Sequence, residues 1–197
     1  MGWSGEQQMK FYPIDKSINR TDYVIVGAFN ELVVKQDFEK ISVKDICELA
    51  GVSKATFYRH FKDKYDVMNF NYKMLLDHSG AMDCVHSYED LYYQLFSGAQ
   101  EYWGPIKRFF RSTGYNSFRH FIATYSYDYA ENITKLNRNG QGFTEAEKLQ
   151  CVVYVYGIAE MYERWTYGQI NLTAAEAAHA LFTMMPESLR NYWYPEA

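Results

Sequence analysis

The sequence predicts an all-α fold for this chain of 197 residues. Apolar residues recur at helical spacing along most of the chain after residue 20, which is the main sequence signature of amphipathic helices. Three boxes, at 87–90, 144–147 and 173–176, place Ser or Thr three residues before Asp or Glu and precede periodic runs, as helix starts do. The one strand-like alternation, at 125–129, has helical spacing on both sides, so no strand is predicted.

Two helices are predicted after an N-terminal extension of residues 1–20, which is polar, aperiodic and expected to be flexible. The first begins at Thr21 and runs for about four turns, because one of its faces is apolar. That face consists of Ile25, Ala28, Phe29, Leu32 and Val33. The second covers Val43 to Ala50 and is expected to end at Gly51, since glycine readily adopts the left-handed conformation that closes helices.

A third and a fourth helix are predicted directly after that glycine. Ser53 is a candidate N-cap for the third helix, Lys54 to Phe61, whose apolar residues face inward. Asp63 is a candidate N-cap for the fourth, which again carries apolar residues at helical spacing.

The C-terminal part is predicted to be helical as well. Pro105 suits the first turn of a helix, and residues 139–142 are predicted to form a loop. The last two long helices are expected at about 145–168 and 174–193, with a kink or restart at Pro186 because proline lacks the N–H that a helix interior needs.

Charge and rings are distributed unevenly along the chain. The net charge of −4 excludes a uniformly basic nucleic-acid-binding protein. Residues 1–66 carry 10 basic and 10 acidic side chains, whereas residues 67–197 carry 10 and 14. Residues 40–64 hold six basic side chains against three acidic ones. Of the 36 aromatic rings, 26 lie beyond residue 66. The acidic excess and most rings therefore belong to the C-terminal part.

Cysteine spacing and hydropathy limit the class of protein. Cys47, Cys84 and Cys151 are far apart and form no CxxC motif, so neither a disulfide framework nor a structural zinc site is predicted. The longest uncharged apolar stretch, residues 151–159, has about half the length of a membrane-spanning helix. The N-terminus shows no signal-peptide pattern. We therefore expect a soluble cytoplasmic protein without cofactor or metal.

The segment from Phe38 to Met68 has the most specific pattern in the chain. Its two short helices are joined by the tight turn 50–53, which contains a glycine, and this arrangement predicts a helix-turn-helix motif. In such a motif the second helix lies in the DNA major groove and presents its N-terminal residues to the bases. The local excess of three positive charges in residues 40–64 suits contact with phosphates.

This segment closely resembles the DNA-binding region of the tetracycline-repressor (TetR/AcrR) family of bacterial regulators. The family pattern I-t-v-x-d-I-a-x-x-A-G-V-S-x-x-T-x-Y-x-H-F-x-x-K is matched at twelve positions. These are Ile41, Val43, Ile46, Ala50, Gly51, Val52, Ser53, Thr56, Tyr58, His60, Phe61 and Lys64. The resemblance implies three domains: the extension 1–20, a three-helix DNA-binding domain at 21–66 and a helical ligand-binding and dimerisation domain at 67–197. The region around 162–168 is more loosely similar to the subgroup associated with dihydroxyacetone-kinase operons.

The resemblance implies roles for individual residues of the motif. Thr56, Tyr58 and His60 look like phosphate-positioning residues, and Lys64 looks like a phosphate clamp at a helix N-terminus. Lys54 and Ala55 occupy positions that reach base edges. Either base or phosphate contact is implied for Arg59 and for Lys44. Alone, Tyr58 also suits a half-buried structural ring, His60 a helix-end cap, and Lys64 an ordinary solvated face.

The rings of the C-terminal part suit either a core with a dimer seam or a ligand pocket, and both interpretations stay open. Pockets combine apolar walls with a few polar groups, which Tyr and Trp supply together. Six residues are candidates for lining the effector site that the resemblance implies: Tyr92, Trp103, Phe110, Phe121, Tyr125 and Tyr154. Arg111 or Arg119 could pair with an acidic ligand, although a surface role suits them equally.

The expected function is a ligand-responsive transcriptional regulator, a repressor that binds a palindromic double-stranded operator as a homodimer. Its partners would be this DNA, a second copy of the chain and a small-molecule effector, without a membrane. The alternative is a coactivator-like regulator of the same fold, controlled by a protein partner through exposed rings in residues 88–130.

Enzymatic activity is not predicted. The five histidines are scattered, and the sequence contains neither HExxH nor GxSxG. Cys84 and His86 are close but have no further ligands, and Asp77, His78 and Asp83 suit a solvated helix end better than a metal site.

Overall fold

The computed structural model describes residues 19–78, 87–101 and 103–190, without the side chains of 75–78, 101 and 103. These residues form helices joined by turns and contain no strand, which confirms the all-α prediction. The chain divides into two compact units, Met1–Met82 and Asp83–Ala197. The predicted extension lies, up to residue 18, outside the described residues.

Within the described residues, unit 1 contains four α-helices and one 3₁₀ helix. They are α1 (Arg20–Lys35), the 3₁₀ helix (Phe38–Lys40), α2 (Val43–Ala50), α3 (Lys54–His60) and α4 (Lys64–His78). The first α-helix packs against the other three. The predicted domain end at residue 66 falls in the first turn of α4, and the whole of that helix belongs to unit 1.

Local side-chain hydrogen bonds explain where these helices begin and end. Asn19 and Ser42 start α1 and α2 as N-caps of complete capping boxes, which satisfy the free N–H groups of a first turn. Ser53 caps α3 as predicted, with its hydroxyl oxygen accepting the Thr56 N–H. Gly51 ends α2 at φ 65°, which confirms the predicted left-handed position.

Unit 2 contains six helices within the described residues. They are α5 (Tyr88–Glu101), α6 (Trp103–Phe109), α7 (Phe118–Asn137), α8 (Glu145–Thr166), α9 (Ala174–Met184) and α10 (Glu187–Arg190). The α5 helix packs against α9, and α7 packs against α8. The remaining contacts join α6 to both α5 and α8, and α10 to α8.

The predicted helix starts of unit 2 and the predicted break at Pro186 are confirmed. Thr144 and Thr173 cap α8 and α9 in complete capping boxes, and the Ser87 hydroxyl accepts the Asp90 N–H. Pro186 separates α9 from α10, because Met185 before it is extended and proline donates no hydrogen bond. The span predicted at 174–193 is therefore two helices within the described residues.

Aromatic rings form much of the core of unit 2. Phe96 contacts Trp165 and Tyr162 with ring centroids 4.8 and 5.6 Å apart. Phe110 contacts Phe118 at 4.9 Å and Tyr162 at 5.5 Å. All these contacts are edge-to-face, the arrangement that ring quadrupoles favour. Many rings beyond residue 66 are thus core residues, as one of the two interpretations of the sequence expected.

No helix in the described parts of the chain combines the length and the hydropathy that crossing a membrane requires.

Candidate nucleic-acid interface

The α2–turn–α3 segment has the geometry of the predicted helix-turn-helix. The turn is closed by the Val52 N–H, which donates to the Cys47 carbonyl oxygen at 3.1 Å. Phe57, fully buried, and Phe61, 4% exposed, anchor α3 to the core of unit 1, with ring centroids 6.0 Å apart. Burial of this side of α3 leaves its opposite side in solvent.

The exposed face of α3 is formed by Lys54, Ala55, Tyr58 and Arg59. These positions form two pairs with the i, i+4 spacing, so they share one side of the helix. The Tyr58 side chain is 58% exposed, although its ring edge contacts Phe57. On α2, the Lys44 side chain is 68% exposed and its Nζ lies 3.6 Å from Glu48 Oε1. Five of the eight predicted DNA-contact residues are therefore in solvent.

Thr56 has an intramolecular role as well as the predicted one. Its hydroxyl lies 3.0 Å from the Ser53 hydroxyl, and Arg59 Nη2 donates to it at 3.3 Å. This chain of hydrogen bonds orients the Arg59 guanidinium on the surface of α3. Contact of Thr56 with phosphate stays a prediction.

His60 and Lys64 point toward other parts of unit 1. The His60 Nδ1 lies 2.7 Å from Asp22 Oδ1, and both side chains are 17% exposed. The Lys64 side chain is 14% exposed, and its ammonium donates to the carbonyl oxygens of Phe38 at 2.9 Å and Glu39 at 3.0 Å. The structure thus gives both residues intramolecular partners, and their predicted phosphate contacts stay untested.

Sequence reasoning did not identify these partners. Asp22 was recognisable as an acid in the first turn of α1, but its pairing with His60 joins residues 38 positions apart. Asn30 and Asn71 exchange two side-chain hydrogen bonds between α1 and α4, at 3.3 and 2.7 Å, and both are buried. No local pattern signals such pairs, because they depend on how the helices pack.

The structure places the predicted ligand-lining residues in different settings. The Tyr92 hydroxyl lies 3.0 Å from that of Tyr154, which donates to the Leu181 carbonyl oxygen at 2.7 Å. Phe121 and Tyr125 are neighbours on α7, with ring centroids 5.6 Å apart. Phe110 is a core residue at 7% exposure. The side chain of Trp103 lies outside the described residues. That these residues line an effector site stays a prediction.

Burial is the main influence on the tyrosine pair of unit 2. Burial raises the pKa of Tyr92, Tyr154 and the neighbouring Tyr88 well above the usual value of a phenol. Burial also raises the pKa of the Cys151 thiol to about 12. These groups therefore stay neutral near pH 7, where they can exchange neutral hydrogen bonds but supply no charge to a ligand.

In the described residues, no group of three or more histidine, cysteine, aspartate or glutamate side chains is arranged to hold a metal ion. Of the weak candidates, Asp83, Cys84 and His86 and the side chains of Asp77 and His78 lie outside the described part. Arg119, a candidate partner for an acidic ligand, forms ion pairs with Glu160 and Glu163. Its charge is thus used on the surface of α7 and α8.

Comparison with known proteins relates this interface to a family of regulators. The family model described as bacterial regulatory proteins, tetR family, matches residues 25–69. The solved structure of the dihydroxyacetone kinase operon activator DhaS is similar with a TM-score of 0.56, at 15% identity over 89% of this chain and 99% of that chain. The fatty acid degradation regulator FadR from Bacillus halodurans is similar with a TM-score of 0.53, at 15% identity over 88% and 98%. A search of curated protein sequences finds no match.

Proposed function

We propose that this chain is a transcriptional regulator that binds a palindromic operator as a homodimer, because residues 25–69 match the family model described as bacterial regulatory proteins, tetR family. Its unit 2 responds to a small-molecule effector, and DNA binding represses transcription. The two similar structures cover 88–89% of this chain, so the likeness in fold is not limited to residues 25–69.

The observation that carries the proposal is the exposed face of α3. Lys54 and Arg59 offer donors that fit guanine in the major groove, and the Ala55 methyl group fits the methyl group of thymine. Tyr58 offers a hydroxyl to a phosphate beside them. A helix buried on one side and polar on the other, joined to its neighbours by short connections, is the element that major-groove binding requires.

The proposed dimer is supported by an apolar stripe on α8. Its exposed members are Leu149 at 67%, Val152 at 41%, Val153 at 67% and Tyr156 at 42%. Their spacing of i, i+3, i+4 and i+7 places them on one side of the helix. A second copy is the occupant that suits this stripe, because the same helix of the copy presents the same stripe in a two-fold interface.

The regulatory step follows from population shift. A dimer places two copies of α3 about one DNA turn, or a multiple of it, apart. An effector that binds the dimer form with another spacing more tightly reduces the population that fits the operator. The neutral tyrosine pair in unit 2 supports an effector that is recognised by hydrogen bonds and apolar contacts.

A second candidate function has one observation in its favour. Tyr115 is 82% exposed and Tyr93 45% exposed, so two rings between residues 88 and 130 are presented to solvent. Exposed tyrosines are enriched at protein interfaces. This supports an activator that is controlled by a protein partner, and one of the similar structures is named an operon activator.

The experiment that tests the proposal begins with selection of duplexes from a random-sequence library by the wild-type protein. Binding of the selected duplex is then measured by fluorescence anisotropy over a salt series. We expect a palindromic selected site and a negative slope of log affinity against log salt, about 0.9 for each phosphate neutralised. The proposal fails if no duplex is enriched, or if affinity does not change with salt.

Two further expectations belong to the proposal. A regulator of this kind works in the cytoplasm, beside the DNA, and it catalyses no reaction. Transcription from the selected site, measured in vitro with and without the protein, distinguishes the repressor from the activator.

A further inference from the structure

Two basic residues beside the exposed face of α3 are held by the protein itself. The side chains of Lys64 and His60 are 14% and 17% exposed, compared with 68% for Lys44 on α2. We infer that Lys64 and His60 are positioning residues, which hold α3 in the orientation that binds DNA, and that neither of them contacts a phosphate. The inference rests on the proposed DNA-binding function.

The contacts of Lys64 use the hydrogen-bonding capacity of its ammonium group. An ammonium has three N–H donors. Two of them donate to the carbonyl oxygens of Phe38 and Glu39, and the Glu39 carboxylate lies 3.7 Å away. The nitrogen also lies 4.6 Å from the centre of the Phe38 ring, which adds a cation–π contact. Turning Lys64 toward a phosphate would break all these contacts, so the DNA-bound state gains little from it.

The position of Lys64 in the chain makes these contacts important for α3. Phe38 and Glu39 belong to the 3₁₀ helix that leads into α2, and Lys64 begins α4 directly after α3. The contact therefore joins the segment that enters the helix-turn-helix to the segment that leaves it. Tyr65 strengthens the junction, since its ring lies 5.0 Å from that of Phe38 and its hydroxyl donates to Glu39 at 3.4 Å.

His60 makes a corresponding contact at the end of α3. It is the last residue of that helix, and Asp22 belongs to the first turn of α1. The second carboxylate oxygen of Asp22 accepts the Asn19 N–H at 3.2 Å, which fixes the carboxylate that His60 meets. The contact engages the Nδ1 of His60 and anchors the end of α3 to α1, while the Asp22 carboxylate repels a phosphate that approaches the pair.

The first test compares Lys64→Met with Lys54→Met, which removes a charge from the exposed face of α3. Both variants are measured against the duplex selected by the wild-type protein, over a salt series. We expect Lys54→Met to reduce the salt slope by about 0.9, whereas Lys64→Met leaves the slope unchanged and weakens binding about tenfold at every salt concentration. A slope that falls by about one in Lys64→Met, with an unchanged melting temperature, overturns the inference.

The melting temperature gives a readout that does not depend on DNA. We expect Lys64→Met to melt at a lower temperature than Lys62→Met, whose lysine is exposed two residues earlier. Equal melting temperatures contradict the positioning role. This comparison stands even if the wild-type protein selects no duplex, an outcome that would refute the proposed function separately.

Lys64→Arg is the second variant, because it keeps the charge. As a phosphate ligand, arginine would bind at least as well as lysine. As a positioning residue it is expected to disturb the junction, since the longer side chain and larger guanidinium must fit a site in which the Lys64 side chain is only 14% exposed. We therefore expect weaker binding by Lys64→Arg with the wild-type salt slope, and wild-type affinity overturns the inference.

Substitution of Asp22 tests the role of His60, because the two possible roles of Asp22 predict opposite changes in DNA affinity. Removing a carboxylate near DNA raises affinity if Asp22 acts only by repulsion. If Asp22 holds His60, then Asp22→Asn weakens binding, and adding His60→Gln weakens it no further. Asn19→Ala controls for the loss of helix capping, because it leaves the carboxylate in place. Stronger binding by Asp22→Asn, or additive effects of the two substitutions, overturns the role of His60.

Discussion

Neighbouring aromatic residues of α3 have opposite environments. Phe57 is fully buried and Tyr58 is 58% exposed, although their rings touch with centroids 5.4 Å apart. Successive residues of a helix are rotated by about 100°, so one of two neighbours can face the core while the other faces solvent. The Tyr58 side chain therefore stays hydrated when the protein folds, and its hydroxyl is accessible to a phosphate.

Tyr58→Ala is expected to weaken DNA binding about five- to tenfold, nearly equally for all sequences, because a phosphate contact carries no sequence information. The free energy of unfolding should change by less than about 0.5 kcal/mol, as for other surface substitutions. Phe57→Ala is the contrasting variant and should lower the free energy of unfolding by about 3–5 kcal/mol. Anisotropy titrations and urea unfolding measure the two effects. Loss of stability in Tyr58→Ala would show that its ring is structural.

Arg59 belongs to the same face but is expected to read sequence. Its guanidinium is oriented by the Thr56 hydroxyl, which it contacts at 3.3 Å. Arg59→Ala should cost about 1–3 kcal/mol on the selected duplex and relax the preference at one position of each half-site. Repeating the duplex selection with the variant measures this. Lys73→Ala, an exposed lysine on α4, should leave the selected sequence unchanged.

Helix starts show how one side chain can stabilise two elements. Glu147, in the first turn of α8, accepts hydrogen bonds from the Thr144 N–H at 2.8 Å and the Thr144 hydroxyl at 2.9 Å. The same carboxylate receives two bonds from the guanidinium of Arg138, which caps the end of α7. The capping box and a bidentate ion pair thus close the loop between α7 and α8 together.

Glu147→Gln is expected to destabilise unit 2 in a pH-dependent way. Hydrogen bonds from Arg138 and Thr144 lower the pKa of Glu147 from 4.5 to about 2. Because the folded pKa is the lower one, the carboxylate stabilises the fold fully above about pH 4.5 and loses this effect as the pH falls toward 2. At pH 7 the variant should lose about 1–3 kcal/mol of unfolding free energy.

Urea unfolding at pH 7 and pH 3 measures this difference, which should be smaller at the acidic pH. Glu145→Gln is the matched control in the same turn, because Glu145 is 91% exposed and pairs with Lys148 on the surface. Such a pair contributes little. A loss in Glu147→Gln that is the same at both pH values would contradict the role of its charge.

At the scale of the whole molecule, the exposed apolar stripe of α8 is the surface that explains why two copies would associate. Leu149, Val152, Val153 and Tyr156 lie side by side in solvent. Scattered single apolar residues are normal on protein surfaces, whereas a contiguous stripe indicates an interface. A second copy would bury the stripe and thereby place two DNA-binding units on one assembly.

Val153→Asp is expected to separate the proposed dimer into monomers, because a charge in the centre of an apolar interface must be desolvated without a partner. Sedimentation velocity over a concentration series measures the change. Leu136→Asp is the matched control, since Leu136 is 69% exposed on α7 and Val153 67% exposed on α8. If both variants sediment as the wild-type protein does, α8 is not the dimer interface.

The two candidate functions predict different effects of Tyr115→Ser on transcriptional control. Small molecules that raise the melting temperature of the wild-type protein should also change its affinity for the selected duplex, by about 5- to 150-fold if the coupling is of ordinary size. Tyr115 is exposed, so its loss should leave this response intact in a ligand-controlled repressor. Loss of transcriptional control in the variant, without any ligand response in the wild type, favours the partner-controlled activator.

Most of the fold was predictable because its signals are local. The start of α3 at Ser53, the end of α2 at Gly51 and the break at Pro186 each depend on one residue and its near neighbours. Two capping boxes, at Asn19 and Ser42, escaped prediction, although Ser42 precedes Asp45 with the same spacing and the same acid as the predicted box at 87–90. Their chemistry is nevertheless the same as in the predicted boxes.

The order of residues in the chain alone determined the helix-turn-helix and the exposed face of α3. Helical period and capping are properties of short segments, so Lys54, Ala55 and Arg59 face solvent as the pattern implies. Only the tertiary structure decided that Lys64 and His60 turn inward, because their partners are 25 to 38 residues away. A basic side chain takes the partner that folding brings within reach, and no local pattern contains that information.

The same distinction applies to the rings of unit 2. Their helical spacing showed that Phe110 and Tyr162 belong on apolar faces, and the structure shows that these rings meet each other in the core. The net charge of −4 likewise only excluded a uniformly basic protein, while the structure shows that Lys54 and Arg59 lie in solvent, on the face for which DNA binding is proposed. Composition and helical period are properties of each segment of the chain, whereas the burial of a side chain and its contacts depend on which helices pack together.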